Sequence, residues 1–335
     1  MPFFRWQILF LFSFTLGFLP RELSAQIKTN FASSITSESM AAVWVAKDRG
    51  LFKKYGLDMQ YILMPRSPLA VAALIAGEID MAVIGPGHLV NAATGGTDVI
   101  GIANFAQKLD YRLNTRPEIK KKEELRGKRL AISGPGSTSH LVALLALQHL
   151  ALDPNVAKIA FLTIPGTEIN RRLALESGSV DATPLNGSVG DVYGQKGYPV
   201  LFNFKGSGVT MPQTMLVTTR RLASSKPQVV EAYARTIVEA IAVMFDPANK
   251  ETVTRTIASN LRLSNPSDSD EAYQSVINSY ERVPYPSLEG MHRLHGLLTT
   301  INPKLAGVKI DTVVDDSFIS KLDSSGFVQS VSKKR

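Results

Sequence analysis

Small polar residues recur in five short segments, each of which directly follows a predicted strand. The segments are Ser33-Ser34, Pro65-Arg66-Ser67, Gly85-Pro86-Gly87-His88, Gly134-Pro135-Gly136-Ser137-Thr138-Ser139 and Pro184-Leu185-Asn186. Hydroxyls, amides and backbone N–H groups hold small molecules by hydrogen bonds, and open α/β sheets bind ligands beyond the carboxyl ends of their strands. Any one segment could be an ordinary strand-to-helix turn, but five in register favour a binding site.

The segment 134–139 leads straight into a predicted helix at Ser137. The free N–H groups and the positive dipole end of a helix suit a carboxylate, sulfonate or phosphate. The alternative is a simple turn in which Ser137 caps the helix. The segment has no lysine and so is not a P-loop, and the chain contains no Gly-x-Gly-x-x-Gly dinucleotide motif. A small organic ligand is expected, with an anionic group as one option.

Residues able to catalyse a reaction or to bind a metal are few. The chain has no cysteine, which excludes thiolate catalysis and Cys-ligated metals, and it has no Gly-x-Ser-x-Gly motif. His292 and His295 lie three apart on a predicted helix, without the acidic residue of a zinc motif. His88 follows a strand and is the histidine expected to contact a ligand. We therefore predict a protein that is not an enzyme and uses no metal or cofactor.

Strands alternate with helices along most of the chain, which indicates a mainly parallel α/β sheet. The predicted strands are 28–32, 58–63, 81–84, 99–104, 129–133, 158–164, 180–185 and 200–204, followed by a strand-like run at 209–218. The predicted helices are 40–49, 67–77, 137–150, 167–177 and 227–245, and the chain is mostly helical from there to residue 327. Ser67 is predicted as a helix N-cap with Pro68 as the first helical residue.

An internal repeat indicates two lobes of similar architecture. Residues 73–80 read Ala-Leu-Ile-Ala-Gly-Glu-Ile-Asp and residues 174–181 read Ala-Leu-Glu-Ser-Gly-Ser-Val-Asp, with Ala, Leu, Gly and Asp at the same spacing. Upstream, 57–58 (Leu-Asp) leads through a strand to Pro65-Arg66-Ser67, as 152–153 (Leu-Asp) leads to Pro165-Gly166-Thr167. The alternative is a chance match, because Gly-x-x-Asp is common where a helix leads into a strand.

Residues 1–25 have the order of a secretory signal peptide: a charged start, an apolar run over 6–19 and small residues before Gln26. We expect cleavage after Ala25 and a periplasmic protein. No lipid anchor is expected, because the cleavage site has no cysteine. The alternative is an uncleaved N-terminal anchor. The net charge of +8 is scattered apart from two short basic clusters, so nucleic-acid binding is not expected.

Several motifs together resemble the solute-binding proteins of the nitrate, taurine and aliphatic-sulfonate (NitT/TauT, SsuA/THI5-like) group of ABC importers. The stretch 45–58, Val-Ala-Lys-Asp-Arg-Gly-Leu-Phe-Lys-Lys-Tyr-Gly-Leu-Asp, is similar to the hallmark motif of that group. The pattern Ala-Leu-x-x-Gly-x-x-Asp follows at the usual distance. Leu125–Arg129, Pro135–Ser137 and Leu152–Pro154 resemble further motifs, and the resemblance covers about 27–330.

The resemblance implies an α/β, two-lobed periplasmic-binding-protein fold of type II, with mixed, mainly parallel sheets and a hinged cleft. Lobe 1 is expected at 27–107 and 211–330 and lobe 2 at 108–210, with the hinge near Gln107 and Thr210. The implied protein is a monomer that captures a small solute and delivers it to an ABC permease and ATPase. The expected ligand contacts are Ser33, Ser34, Arg66, Ser67, Gly87, His88, Gly136, Ser137, Thr138, Asn186, Gln213 and Thr214.

Two other functions stay open at this point. Relatives on the same fold include enzymes of cofactor-precursor biosynthesis, namely pyrimidine-precursor synthases and menaquinone-pathway lyases. Those enzymes are cytoplasmic, so the predicted export signal counts against them. A ligand-sensing partner of a membrane receptor is the other alternative, and the residues do not separate it from a transport protein.

Overall fold

The computed structural model describes residues 26–164, 168–263 and 265–332. The predicted signal peptide and the segment Pro165-Gly166-Thr167 lie outside the described residues. Within these ranges the chain forms two five-stranded sheets. The strands are β1 (Ile27–Ser33), β2 (Leu57–Leu63), β3 (Met81–Ile84), β4 (Val99–Asn104), β5 (Tyr111–Thr115), β6 (Arg129–Ile132), β7 (Ala160–Thr163), β8 (Ala182–Asn186), β9 (Val200–Asn203) and β10 (Met215–Thr219).

The two sheets have the same plan. Their strand orders are β2-β1-β3-β10-β4 and β7-β6-β8-β5-β9. In each sheet the fourth position holds a strand that is antiparallel to both neighbours, β10 in the first and β5 in the second. We call the parts of the molecule built on the first and second sheets lobe 1 and lobe 2. Two mixed α/β sheets with parallel strands confirm the predicted fold class.

Helices cover the sheets and make up the tail of the chain. In the part of the chain that is described, no helix is long and apolar enough to cross a membrane. A 3₁₀ turn at Glu38–Met40 precedes the first helix. The helices are α1 (Ala41–Asp48), α2 (Leu51–Lys54), α3 (Ser67–Ala76), α4 (Pro86–Ala93), α5 (Thr138–His149), α6 (Glu168–Glu176), α7 (Gly187–Gln195), α8 (Arg220–Ser225), α9 (Pro227–Phe245), α10 (Lys250–Leu261), α11 (Pro266–Ser279), α12 (Leu288–Ile301), α13 (Ser317–Ser324) and α14 (Phe327–Ser332).

The long helix α9 ties the tail to lobe 1. Its Tyr233 ring stacks on Phe31 of β1 at 5.7 Å between centroids, and the Tyr233 hydroxyl shares a hydrogen bond of 2.8 Å with Thr29. Phe52 packs edge-on against Tyr233 at 5.7 Å. Burying aromatic rings of this size is among the largest sources of core stability. Helix α9 is therefore part of the lobe 1 core.

Three elements differ from the sequence prediction. Residues 85–88 are predicted as a loop, but α4 begins at Pro86, where the missing N–H of proline costs the helix nothing. β5 was not predicted, because its buried residues are polar. The predicted run 209–218 contains a strand only from Met215. The residues before Met215 pair instead with the segment of the chain that connects β4 to β5.

The two crossovers between the lobes run side by side, at 105–109 and 209–214. Each segment hydrogen-bonds the other through its backbone, so neither is a free linker. A pair of short connecting strands suits a hinge. The bonds are Phe105 N to Thr214 O (2.9 Å), Met211 N to Gln107 O (2.8 Å) and Gln213 N to Ala106 O (3.0 Å), with Gln213 Nε2 to Lys108 O (2.8 Å).

Candidate functional site

The two lobes touch where helices α4 and α5 begin. A Cβ added to Gly87 would lie 2.3 Å from the carbonyl oxygen of Gly136, so only glycine fits at position 87. Gly136 has φ of +75°, a conformation that favours glycine as well. Thr138 Oγ1 donates to Gln213 O at 3.0 Å and links α5 to the crossover. Four predicted contact residues, Gly87, Gly136, Thr138 and Gln213, thus meet at this junction.

The predicted contacts at the end of β1 lie side by side. Ser34 and Ser67 share a hydrogen bond of 2.6 Å between their hydroxyls. The Ser67 hydroxyl does not cap the helix. Helix α3 begins at Ser67, one residue earlier than predicted, and the exposed Arg66 is the N-cap residue. Ser33 is fully buried, and its hydroxyl donates to Ile35 O at 3.2 Å, so it lies inside lobe 1.

The loop before α5 uses some of the donors that an anion would need. Gly136 N donates to His140 Nδ1 at 3.1 Å, and His140 N donates to Ser137 Oγ at 3.3 Å. Ser137 is therefore the N-cap of α5, as predicted. The His140 ring packs edge-on against Phe161 at 4.9 Å, and burial lowers the pKa of His140 to about 4. His140 is neutral at pH 7 and adds no positive charge to the loop.

The remaining predicted contacts lie around the same junction. Asn186 N donates to Glu168 Oε2 at 2.8 Å, and Gln213 and Thr214 are buried in the crossover. Burial also lowers the pKa of His88 to about 4, so this half-buried ring can offer only neutral imidazole to a ligand. Direct contact of these residues with a solute stays a prediction.

Charged residues that the sequence analysis missed gather between the lobes. Lobe 1 contributes Glu38 and lobe 2 contributes Asp110, Tyr111, Glu168 and Arg171. They are near enough for the charges of Glu168 and Asp110 to raise the pKa of Glu38 and for Glu38 to raise the pKa of Tyr111. Each of them except Arg171 is half-buried. Acidic, basic and phenolic groups from both lobes therefore face one another.

Glu38 is held by the 3₁₀ turn and by the helical tail. The Tyr280 hydroxyl donates to Ser39 O at 2.6 Å, next to Glu38 in the turn. The hydroxyl of Ser275 in α11 is close enough to lower the pKa of the same carboxyl. Burial, followed by the charge of Glu168, raises the pKa of Glu38 to about 7. This carboxyl is thus about half ionised near neutral pH.

Arg171 lies on the first turns of α6. Its Nη1 donates to Ser133 Oγ at 2.6 Å, and its Nη2 is 3.8 Å from Glu168 Oε2. The residue is 5% exposed, yet its Nε has no hydrogen-bond partner among the described residues. Burial lowers the pKa of Arg171 and raises that of Glu168. One donor of this buried guanidinium therefore has no acceptor among the described residues.

An arginine clamp positions the lobe 2 side of the site. Arg112 of β5 is 1% exposed and binds both carboxylate oxygens of Asp191 at 2.8 Å, and its Nη1 binds Asp110 Oδ1 at 2.8 Å. Helix α7 can approach β5 this closely because Gly187 and Gly190 have no side chain. A Cβ there would meet Asp110 Oδ1 at 2.2 Å and Arg112 Cβ at 2.5 Å.

The internal repeat holds the signal that could have revealed part of this cluster. It aligns Pro65-Arg66-Ser67 with the segment that opens α6, so Glu168 and Arg171 occupy the counterpart of the first turn of α3. No comparable signal marks Glu38, because a Ser-Glu-Ser sequence is typical of solvent-exposed turns. Tyr111 is the first residue of the strand that was not predicted, and Asp110 directly precedes it.

Other parts of the structure offer no comparable set of residues. His292 Nε2 lies 3.2 Å from Asp311 and is exposed, whereas His295 Nε2 lies 2.7 Å from Leu305 O. Among the residues that are described, no three His, Asp or Glu side chains are arranged to hold a metal ion. A surface depression of about 710 Å3 lies on lobe 1 beside Arg220 and Lys304, away from the junction.

Known proteins match this chain in sequence and in fold. The family model described as NMT1/THI5 like matches residues 37–250. A protein of Brucella abortus (strain 2308), whose name marks it as an inferred binding protein, is 27% identical over 162 residues, which is 44% of this chain. The chain spans about half the length (49%) of the curated relatives it matches.

Solved structures resemble the whole fold. The alkanesulfonate-binding protein SsuA from Xanthomonas axonopodis pv. citri bound to MOPS has a TM-score of 0.69 at 17% identity, covering 88% of this chain and 99% of that one. The periplasmic nitrate-binding protein NrtA from Synechocystis PCC 6803 has a TM-score of 0.66 at 13% identity, covering 90% and 89%. A protein of Bordetella bronchiseptica RB50 has a TM-score of 0.74 at 17% identity, covering 89% and 97%.

At these identities the structural likeness shows the fold alone, and the family model adds the relationship in sequence. Both agree with the motifs at 45–58 and 73–80 that resembled solute-binding proteins. The chain therefore belongs to the NMT1/THI5-like family and has the fold of periplasmic binding proteins.

Proposed function

We propose that this protein captures a small organic solute between its two lobes and delivers it to an ABC importer. The observation that carries the proposal is the set of polar groups that both lobes turn toward their junction, above all Arg171. A buried N–H without a partner is costly, and a bound solute with an acceptor group would satisfy it. Family membership and the neighbours named as binding proteins support the same function.

We infer that the protein acts in the periplasm and that it is not an enzyme. The predicted signal peptide supports export, and one structural neighbour is named as periplasmic. The junction pairs its carboxylates with arginines or leaves them buried, and it contains no nucleophile next to a base among the contacts described above. The permease and ATPase partners are proposed from a structural neighbour of Staphylococcus aureus that is named as the ligand-binding component of an ABC-type import system.

Thermal stability measured across a library of small solutes tests the capture. A solute at a hundredfold excess over its Kd should stabilise the fold by about 2.7 kcal/mol. Replacing Ser34 with Tyr should remove this shift, because the larger side chain would fill the space beside Ser67. Ser330, an exposed serine on α14, provides the matched control Ser330→Tyr, which should keep the shift. If no solute in a broad library stabilises the wild type, or if Ser34→Tyr binds as well, the proposal fails.

A further inference from the structure

The carboxylates at the junction differ in how their charge is compensated. Asp110 and Asp191 share the guanidinium of Arg112 at 2.8 Å. Glu168 lies 3.8 Å from Arg171, and the charge of Arg172 acts on it as well. Glu38 forms no ion pair within 4 Å among residues 26–164, 168–263 and 265–332. It is the carboxylate of this cluster that lacks a cation of its own.

The surroundings of Glu38 make this lack of a cation energetically important. Lobe 2 turns Glu168, Asp110, Tyr111 and Arg171 toward it, and on the lobe 1 side Tyr280 and the hydroxyl of Ser275 lie beside it. Both carboxylates among these neighbours oppose its negative charge. Arg171, the one cation, is already shared with Glu168. A half-buried carboxylate in such a place is stabilised by a cation that arrives from outside.

We propose, on the basis of the proposed solute capture, that the solute carries a protonated amine that binds against Glu38. The ammonium N–H groups would donate to the Glu38 carboxylate, and Glu168 and Asp110 would add negative potential from the other lobe. A metal ion fits this place less well, because no three-ligand set exists among the described residues. The unpaired Nε of Arg171 is then available for an acceptor group on the same solute.

This inference differs from the anionic ligand expected from the loop at 134–139. In that loop the Gly136 N–H already donates to His140, and the Ser137 hydroxyl already accepts a hydrogen bond from its own helix. Both nearby histidines, His88 and His140, are neutral at pH 7 because burial lowers each pKa to about 4. The loop and these histidines therefore offer no positively charged side chain to an anionic ligand.

Matched solutes with and without an amine provide the test. The series are benzylamine with benzyl alcohol and benzoate, taurine with ethanesulfonate, and β-alanine with propionate. Calorimetric Kd values and melting temperatures are measured at pH 6 and pH 8 on the mature full chain. In at least one series we expect the amine to bind at least about tenfold more tightly than its amine-free partners.

The pH dependence follows from the ionisation of Glu38. With a pKa of about 7, the fraction of ionised Glu38 rises from about one tenth at pH 6 to about nine tenths at pH 8. The amines stay protonated over this range, so their affinity should rise up to about tenfold and binding should release a proton. The isosteric variant Glu38→Gln should weaken amine binding at least about tenfold and abolish the pH dependence.

Two further variants keep the result interpretable. Glu38→Asp retains the charge and should retain both the preference for amines and the pH dependence. Glu251→Gln, at a glutamate whose side chain is 87% exposed on α10, should behave as the wild type. Circular dichroism confirms that each variant is folded before binding is measured.

The outcomes separate this inference from the function on which it rests. Tighter binding of benzoate, ethanesulfonate or propionate than of their amines would overturn the inference that the solute carries an amine, but it would not contradict solute capture. Amine binding that is unchanged in Glu38→Gln would also overturn it. Failure of all these amines to bind would overturn the inference, and only failure of the broad solute library as well would count against solute capture itself.

Discussion

The Glu38 carboxyl titrates in a setting that opposes its ionisation, and the stability of the solute-free protein should reflect this. Burial and the charges of Glu168 and Asp110 raise its pKa to about 7, above the ordinary value of 4.5. The folded state thus holds its proton more tightly than the unfolded state. This contribution to stability is complete below pH 4.5 and is lost as the pH rises through 7.

The variant Glu38→Gln should therefore remove part of the loss of stability at high pH. We expect it to be more stable than the wild type at pH 8, by about 1–3 kcal/mol, and to approach the wild type near pH 5. Melting temperatures between pH 5 and pH 8.5 measure the difference, with Glu251→Gln as the control. Parallel curves for Glu38→Gln and the wild type would contradict the assignment of a raised pKa to Glu38.

At the scale of elements, the contact between the first turns of α4 and α5 depends on the missing side chain of Gly87. Alanine at this position would place Cβ 2.3 Å from Gly136 O in the other lobe, while helix α4 itself should gain up to about 1 kcal/mol. Gly87→Ala should therefore push the starts of the two helices apart and weaken solute binding at least about tenfold, whatever helix α4 gains in its own stability.

Gly296→Ala is the matched control for this prediction. Gly296 is also within a helix, α12, and nothing lies within 4 Å of the Cβ position. Calorimetry should find its affinity for a solute equal to that of the wild type. If Gly87→Ala also retained full affinity, the closed contact between the lobes would not be needed for binding.

The predictability of the elements followed the chemistry of their residues. The apolar strands β3 and β4 and the amphipathic helix α9 have the predicted boundaries, because their apolar residues directly indicate which positions are buried. β5 escaped prediction because Arg112 and Asn114 resemble exposed residues. Their burial depends on Asp191 and Gly190, which lie about 80 residues further along the chain.

The candidate site likewise contains residues that the sequence predicted and residues that it did not. Ser34 with Ser67, and Gly87 with Gly136, were identified because strand ends in an α/β sheet meet at one edge. Glu38 and Arg171 were not, since their role depends on how the two lobes face each other. That arrangement is a property of the crossovers and the helical tail, which no local pattern encodes.

At the scale of the whole molecule, the relation between the lobes can be controlled by an introduced disulfide. The chain has no cysteine, so a designed pair has no competing partner. A Cβ on Gly85 would lie 3.8 Å from Thr138 Oγ1 in the other lobe, so a small backbone movement would bring two cysteines at these positions to the geometry of a disulfide. Gly85→Cys with Thr138→Cys should form a bond that holds the lobes together.

Oxidation of this double variant should slow solute release at least about tenfold, because the lobes can no longer separate. Stopped-flow dissociation of a bound solute measures the rate, and dithiothreitol should restore it. Each single-cysteine variant should release solute at the same rate with and without oxidant. Equal rates for the oxidised and reduced double variant would show that release does not require the lobes to separate at this edge.

The placement of β10 also determines the order in which the chain can fold. All five strands of the second sheet lie within 111–203, so lobe 2 can assemble as soon as that stretch has been synthesised. The first sheet remains in two pieces, β2-β1-β3 and β4, until residues 215–219 fill the gap between them. Until then the edges of β3 and β4, whose residues are all buried in the finished protein, are free to pair with other chains. The nascent chain thus carries a complete domain inserted into an unfinished one, and lobe 1 is the part that most needs protection from aggregation.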